Sequence, residues 1–258
     1  MQLHCLGTAG YHPNETRHTS CYFLPESGLV LDAGTGMFRL PSLIQTDTID
    51  ILLSHAHLDH IVGLTFLLGI VYQRPVERVR VWGEAEKLAA VQNLLVNECI
   101  FPAQLPVTWH AIDANQALGE HLSLDIAGAR VTWRPQTHPG GSVAYRIDWP
   151  SPTPGSARER SLVYATDTTG ATDPEILRWM HGADVLLHEC NFHDHQRDWA
   201  VKTGHSYPER VAEVSRCVQP LQVFLTHISP IDPISLEQPD PRFSVPCEIV
   251  DDNQIIEF

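Results

Sequence analysis

Apolar residues in this chain come in short blocks, most of them bounded by Gly, Pro, Asp or Asn, and this spacing predicts strands joined by tight turns. Strands are expected at 2–6, 21–24 and 29–32, with Gly7, Gly10, Pro13 and Gly28 in the turn-rich segments between them. An apolar strand at 49–54 runs into helix formers at 58–68, and a strand at 79–82 is followed by a helix over 84–96, where Leu88, Val91 and Leu95 share one face. A second cycle places strands at 107–111, 122–126, 131–135, 143–148 and 162–166. A helix at 173–181, opened by Asp173-Pro174, then leads to a strand at 185–188. A helix at 208–217, a strand at 223–226 and a closing hairpin of 248–250 with 255–258 complete the pattern. Two β-rich halves, roughly 1–110 and 111–258, with helices outside them predict an α/β fold in four layers. The stretch 149–160 is rich in Pro and Ser and reads as a surface loop.

Composition narrows this picture. A chain of 258 residues with 43% hydrophobic and 19% charged residues is long enough for a full core, so one domain over 1–258 is expected. Its 17 basic residues against 31 acidic ones give −14 at pH 7, which excludes a broad basic face for non-specific nucleic-acid binding. The longest apolar run, 61–71, is too short for a bilayer span of about 20 residues, so no membrane partner is expected. The N-terminus lacks a basic and apolar leader, and Cys5, Cys21, Cys99, Cys190, Cys217 and Cys247 form no C-x-x-C pair. Free thiols and a cytoplasmic setting are the expectation.

The chemistry lies in the fifteen histidines. Ser54-His55-Ala56-His57-Leu58-Asp59-His60 sets three imidazoles and a carboxylate at the end of an apolar strand and the start of a helix. In an extended segment residues two apart point the same way, so His55 and His57 can reach one ion, while Asp59 and His60 turn toward a second. Imidazole nitrogen and carboxylate oxygen are the donors that Zn²⁺ and similar divalent ions prefer. Further donors stand at three other strand ends: His138 in Gln136-Thr137-His138-Pro139, Asp167 in Ala165-Thr166-Asp167-Thr168, and His227 in Leu225-Thr226-His227-Ile228. Taken singly each is an ordinary loop residue; their order after the first motif is what marks them.

With these motifs the chain resembles the metallo-β-lactamase superfamily over essentially its whole length. The resemblance implies an αβ/βα sandwich with two divalent ions, zinc first and manganese or iron as alternatives. By motif position one ion would take His55, His57 and His138 and the other Asp59, His60 and His227, with Asp167 bridging. Leu6-Gly7-Thr8-Ala9-Gly10, Arg17-His18-Thr19-Ser20-Cys21 and Leu31-Asp32-Ala33-Gly34-Thr35-Gly36 are similar to the opening of the ribonuclease Z branch, and His188-Glu189-Cys190 and Gly204-His205-Ser206 match two of its later motifs. This implies catalytic roles for Asp59, Glu189 and His205, with Glu189 holding His205 toward the scissile phosphate.

Two departures bear on the substrate. Ribonuclease Z carries a long tRNA-gripping arm between the positions of His138 and Asp167, whereas only 28 residues (167 − 138 − 1) separate them here. Leu58 also stands where ribonuclease Z commonly has Gly. With the acidic charge, these departures favour a small or cyclic phosphodiester over RNA, with Arg17 or His18, and Arg158 or Arg160, as candidate substrate contacts. The alternatives are tRNA 3′ processing, thioester or lactone hydrolysis on the same fold, and a non-catalytic metal-binding module. His193 and His195 remain open as pocket or extra metal residues, and a homodimer is compatible with the sequence.

Overall fold

The computed structural model describes residues 1–113, 123–150 and 159–258. His121, the first residue of the strand expected at 122–126 and most of the loop expected at 149–160, Arg158 included, lie outside the described residues. The chain forms two compact units, Met1–Asp113 with Asp251–Glu257, and Ala114–Val250 with Phe258.

The first unit is built on a seven-stranded mixed sheet. It comprises β1 (Gln2–Gly7), β2 (Cys21–Leu24), β3 (Leu29–Leu31), β4 (Thr48–Leu52), β5 (Arg78–Glu84), β6 (Thr108–Ile112) and, from the end of the chain, β14 (Ile255–Glu257), in the order β14-β1-β2-β3-β4-β5-β6. Strands β3 to β6 are mutually parallel. β1 runs the same way as β3, because each is antiparallel to β2. The carboxyl ends of β1, β3 and β4 therefore share one edge, and the turn that precedes antiparallel β14 returns to that edge. Ile49, Ile51, Val79 and Val81 turn one face of the sheet into a core with Leu64, Leu67, Leu88 and Val91 from the helical segments.

Between His57 and Gln73 the expected single helix is broken into α1 (Leu58–Ile61), a 3-10 turn Val62–Phe66 and α2 (Leu67–Gln73). The break follows from packing at Gly63, whose amide donates to the Ala33 carbonyl (2.7 Å), and a side chain there would meet the Gly34 carbonyl oxygen at 2.2 Å. The expected helix 84–96 becomes α3 (Ala85–Ala90) followed by a π turn, Val91–Leu95.

The second unit holds another seven-stranded sheet. Its strands are β7 (Leu124–Ile126), β8 (Ala129–Gln136), β9 (Ser142–Trp149), β10 (Arg160–Ala165), β11 (Val185–Glu189), β12 (Gln222–Thr226) and β13 (Cys247–Ile249), in the order β13-β12-β11-β10-β9-β8-β7. β10 to β13 are parallel, and β8 runs with β10 because both are antiparallel to β9. α4 (Pro174–Met180) begins where expected, with the Asp173 carboxylate accepting from the Glu175 amide, and α6 (Pro208–Val218) buries Val211, Ala212, Val214 and Val218. α5 (Arg197–Thr203) was not expected; of its residues only Ala200 is buried, so it leaves no apolar stripe in the sequence.

The closing hairpin does not form. β13 pairs in parallel with β12, while β14 pairs with β1 in the other sheet. Two short apolar runs around Asp251-Asp252-Asn253 look like a hairpin locally, but each finds an open strand edge elsewhere. None of the six cysteines is in a disulfide, and Cys5, Cys21, Cys190 and Cys247 are buried. Among the described residues no helix is long and apolar enough to cross a membrane.

Candidate metal centre

In the first unit four of the expected residues follow the buried strand β4. His55 and His60 are buried, Asp59 is half-buried and His57 is exposed. The His55 ring lies 4.4 Å from the rings of both His57 and His60, and His60 Nε2 is 3.4 Å from Asp59 Oδ2, so three imidazoles and a carboxylate converge. His55 and His60 are oriented by Asp32, at the carboxyl end of neighbouring β3. Its fully buried carboxylate accepts from His60 Nδ1 (2.7 Å), the Ser54 hydroxyl (2.8 Å) and the Ser54 amide (2.7 Å). Ser54 Oγ, having donated to Asp32, accepts from His55 Nδ1 at 3.0 Å. The network therefore puts the protons of His55 and His60 on Nδ1 and leaves Nε2 as the ligating nitrogen, the arrangement by which outer carboxylates fix metal-bound imidazoles. Asp32 and Ser54 were missed as site residues. The available signal was an Asp closing an apolar strand in Leu31-Asp32-Ala33-Gly34. Gly34 in that segment is required sterically, since a Cβ would sit 2.3 Å from the Asp59 carbonyl oxygen.

In the second unit four of the remaining five residues stand at carboxyl ends of strands that run the same way, His138 after β8, Asp167 after β10, Glu189 ending β11 and His227 after β12, while His205 lies between α5 and α6. Asp167 lies at the centre, with Oδ1 3.4 Å from His138 Nε2, Oδ2 3.4 Å from His227 Nε2 and Oδ1 4.0 Å from His205 Nδ1. Asp167, His205 and His227 each offer a ligand atom within 4.8 Å of the others. Asp167 and His227 both adopt left-handed backbone (φ 48° and 54°), a strained conformation for non-glycine residues that clusters at functional sites. Gly204 ends α5 at φ 83°, and its carbonyl accepts from His138 Nδ1 at 2.9 Å, which again leaves Nε2 for a metal.

Glu189 is fully buried. One oxygen accepts from His205 Nδ1 (3.0 Å) and the Thr168 amide (2.9 Å), the other from the Asn191 amide (3.2 Å). A buried carboxylate supplied with three donors stays a rigid acceptor for the His205 imidazole. The adjacent His188 is also fully buried, and burial pushes its pKa below the ordinary value. His193 and His195 stack on each other at 5.3 Å, and His193 pairs with Asp232 at 3.2 Å; neither joins a possible metal-holding group among the described residues. The Arg17 guanidinium, a candidate substrate contact, is held by Thr8 and Asp251. His18 packs against Phe38 at 4.7 Å, with burial as the main cause lowering its pKa.

Imidazoles and carboxylates gathered at the carboxyl ends of parallel strands in both units, with Nδ1 of His55, His60 and His138 already engaged, fit divalent ions of the zinc class. The class defined is a metal-dependent hydrolase of the αβ/βα type. The beta-lactamase superfamily domain matches residues 28–228, and the chain belongs to that superfamily. It is 27% identical to a ribonuclease Z of Archaeoglobus fulgidus, over 87% of this chain and 86% of that one. The metallo-beta-lactamase fold protein YhfI from Bacillus subtilis superimposes with a TM-score of 0.76 (19% identity, 99% of each chain covered). The short form of human tRNase Z does so at 0.73, with 21% identity and 100% and 99% of the two chains covered.

Proposed function

We propose that the chain is a phosphodiesterase that uses two divalent ions, zinc first, held by His55, His57, Asp59, His60, His138, Asp167 and His227. Asp167, which faces His138 on one oxygen and His227 on the other, supports a bridging role. Bound ions of this kind supply Lewis acidity toward a phosphoryl group and activate water. The rest falls to the protein. Asp32 holds His60 directly and His55 through Ser54, so the donors need no reorganisation on binding.

The observation that carries the phosphodiester reading is the His205–Glu189 pair beside Asp167. With Nδ1 donating to Glu189, His205 keeps Nε2 for the substrate, and in its imidazolium form, which the Glu189 carboxylate favours, that nitrogen carries a proton for a phosphoryl oxygen or a leaving alkoxide. A thioester or lactone hydrolase has no such requirement.

For the natural substrate we favour a small or cyclic phosphodiester. β9 and β10 take up half of the residues between His138 and Asp167, and the net charge of −14 offers few phosphate contacts. The second reading, tRNA 3′ processing, is favoured by the relatives named ribonuclease Z. Parallel assays of the zinc-loaded protein on bis(p-nitrophenyl) phosphate, 2′,3′- and 3′,5′-cyclic nucleotides, a thioester and precursor tRNA separate the readings. Turnover of the small diesters with little dependence on salt is expected; efficient tRNA cleavage at physiological salt would replace this reading with the second one, and turnover of the thioester alone would end both.

A further inference from the structure

Asp252 lies in the turn before β14, remote in sequence from every motif above, and its side chain is 2% exposed. Four donors converge on it. One oxygen accepts from the Thr8 amide (3.0 Å) and hydroxyl (2.8 Å), the other from the His18 amide (2.8 Å) and Arg39 (2.7 Å). Thr8 and His18 are the two stems of the loop that follows β1, and Ala9 N donating to the His18 carbonyl (2.8 Å) ties the stems together just above Asp252. Buried carboxylates with this many donors are costly to leave half-satisfied, so the loop base and the end of the chain are ordered as one unit.

The same loop reaches the candidate metal ligands. The Tyr11 amide, three residues beyond Thr8, donates to Asp59 Oδ2 at 2.8 Å. Tyr11 is held at φ 63° although the residue is 71% exposed, so burial of its ring does not explain the strained backbone. Holding the amide on Asp59 does explain it. The Asp59 oxygen that takes this bond is the one 3.4 Å from His60 Nε2, so the amide fixes which carboxylate face is turned to the neighbouring imidazole.

We infer that Asp252 is a positioning residue that, by clamping the stems of loop 8–19, holds the Tyr11 amide on Asp59 and so sets the geometry of the Asp59–His60 metal subsite. The inference rests on the proposed metal centre. It also accounts for the use of the last strand: pairing β14 with β1 brings the turn 251–254 to the edge where the site lies.

The test compares wild type with Asp252→Ala and Thr8→Val, the latter losing one donor to Asp252 without leaving a buried charge. Glu257→Ala, which loses an exposed hydrogen bond from Gln2 on the β1–β14 pair, serves as control. Three quantities are read: hydrogen exchange of the peptide spanning 8–19 in the metal-free protein, the dissociation constant of the more weakly held zinc against a chromogenic chelator, and activity as zinc is raised. Asp252→Ala should speed exchange across 8–19 and weaken that zinc about tenfold, the lower end of the loss usual for groups supporting a ligand. Thr8→Val should fall between it and wild type, and Glu257→Ala should stay within twofold of wild type. Excess zinc should restore activity in Asp252→Ala, which a merely damaged fold would not allow. Should Asp252→Ala fail to fold, the Thr8→Val exchange and affinity data decide alone. Zinc affinity unchanged while exchange accelerates, or exchange unchanged in both variants, overturns the inference. A wild type that binds no zinc overturns the metal centre itself, an outcome distinct from wild type and variant binding equally well.

Discussion

Replacing Asp32 by Asn puts the support beneath the first histidine cluster to a quantitative test. In the native network one Asp32 oxygen accepts from His60 Nδ1 and Ser54 Oγ, and the other from the Ser54 amide. Asparagine keeps the volume but has only one accepting oxygen. If that oxygen stays on the Ser54 amide, the new NH₂ faces two donors. His60 must then shift its proton from Nδ1 to Nε2, the nitrogen needed for the metal, or lose the bond. Either way one charge-assisted hydrogen bond of about 1.5–3 kcal/mol is forfeited. At about 1.4 kcal/mol per factor of ten, the zinc affinity of the His60 subsite should fall about 10- to 100-fold. His55 should be affected less, because Ser54 stands between it and Asp32. Competition with a chromogenic chelator reads the affinity, and urea unfolding of the metal-free proteins reports the separate loss of stability. Zinc affinity within twofold of wild type in Asp32→Asn would refute the argument that Asp32 sets the tautomer of His60.

Further outcomes follow from the second cluster and its surroundings. His205→Ala should retain near wild-type metal while kcat falls about 10²- to 10⁴-fold, the range of general acid–base catalysis; loss of metal would instead make His205 a ligand, as its place in the group with Asp167 and His227 allows. Asp167→Ala should lose both ions by elemental analysis, and retention of one would remove the bridging role. His188, whose Nε2 has no hydrogen-bond partner among the described residues, has a folded pKa lowered by burial from the ordinary 6.5. Unfolding therefore takes up a proton, and stability that is complete above about 6.5 is lost as pH falls through the window below it. His188→Met should flatten urea midpoints measured from pH 7.5 to 5.5, and an unchanged slope would contradict the assignment.

The strand succession, the H-x-H-x-D-H motif and the order of His138, Asp167 and His227 were legible in the chain because each is local. An apolar block that ends in a donor says where that donor must stand, whatever lies across the fold. The ends of α4 and α6 were legible for the same reason, through Asp173-Pro174 and the apolar spacing of Val211, Val214 and Val218.

What only the tertiary structure decided involves partners far apart in sequence. That Asp32 orients His60 depends on β3 lying beside β4; that the 58–68 helix breaks depends on Gly63 meeting the carbonyls of Ala33 and Gly34. The fate of 247–257 is the plainest case. Strand propensity and a turn of Asp251-Asp252-Asn253 specify two strands, but not which edges they join, because backbone hydrogen bonds carry no address. The addresses are long-range: β12 accepts Cys247–Ile249, β1 accepts Ile255–Glu257, and Asp252 finds four donors between positions 8 and 39.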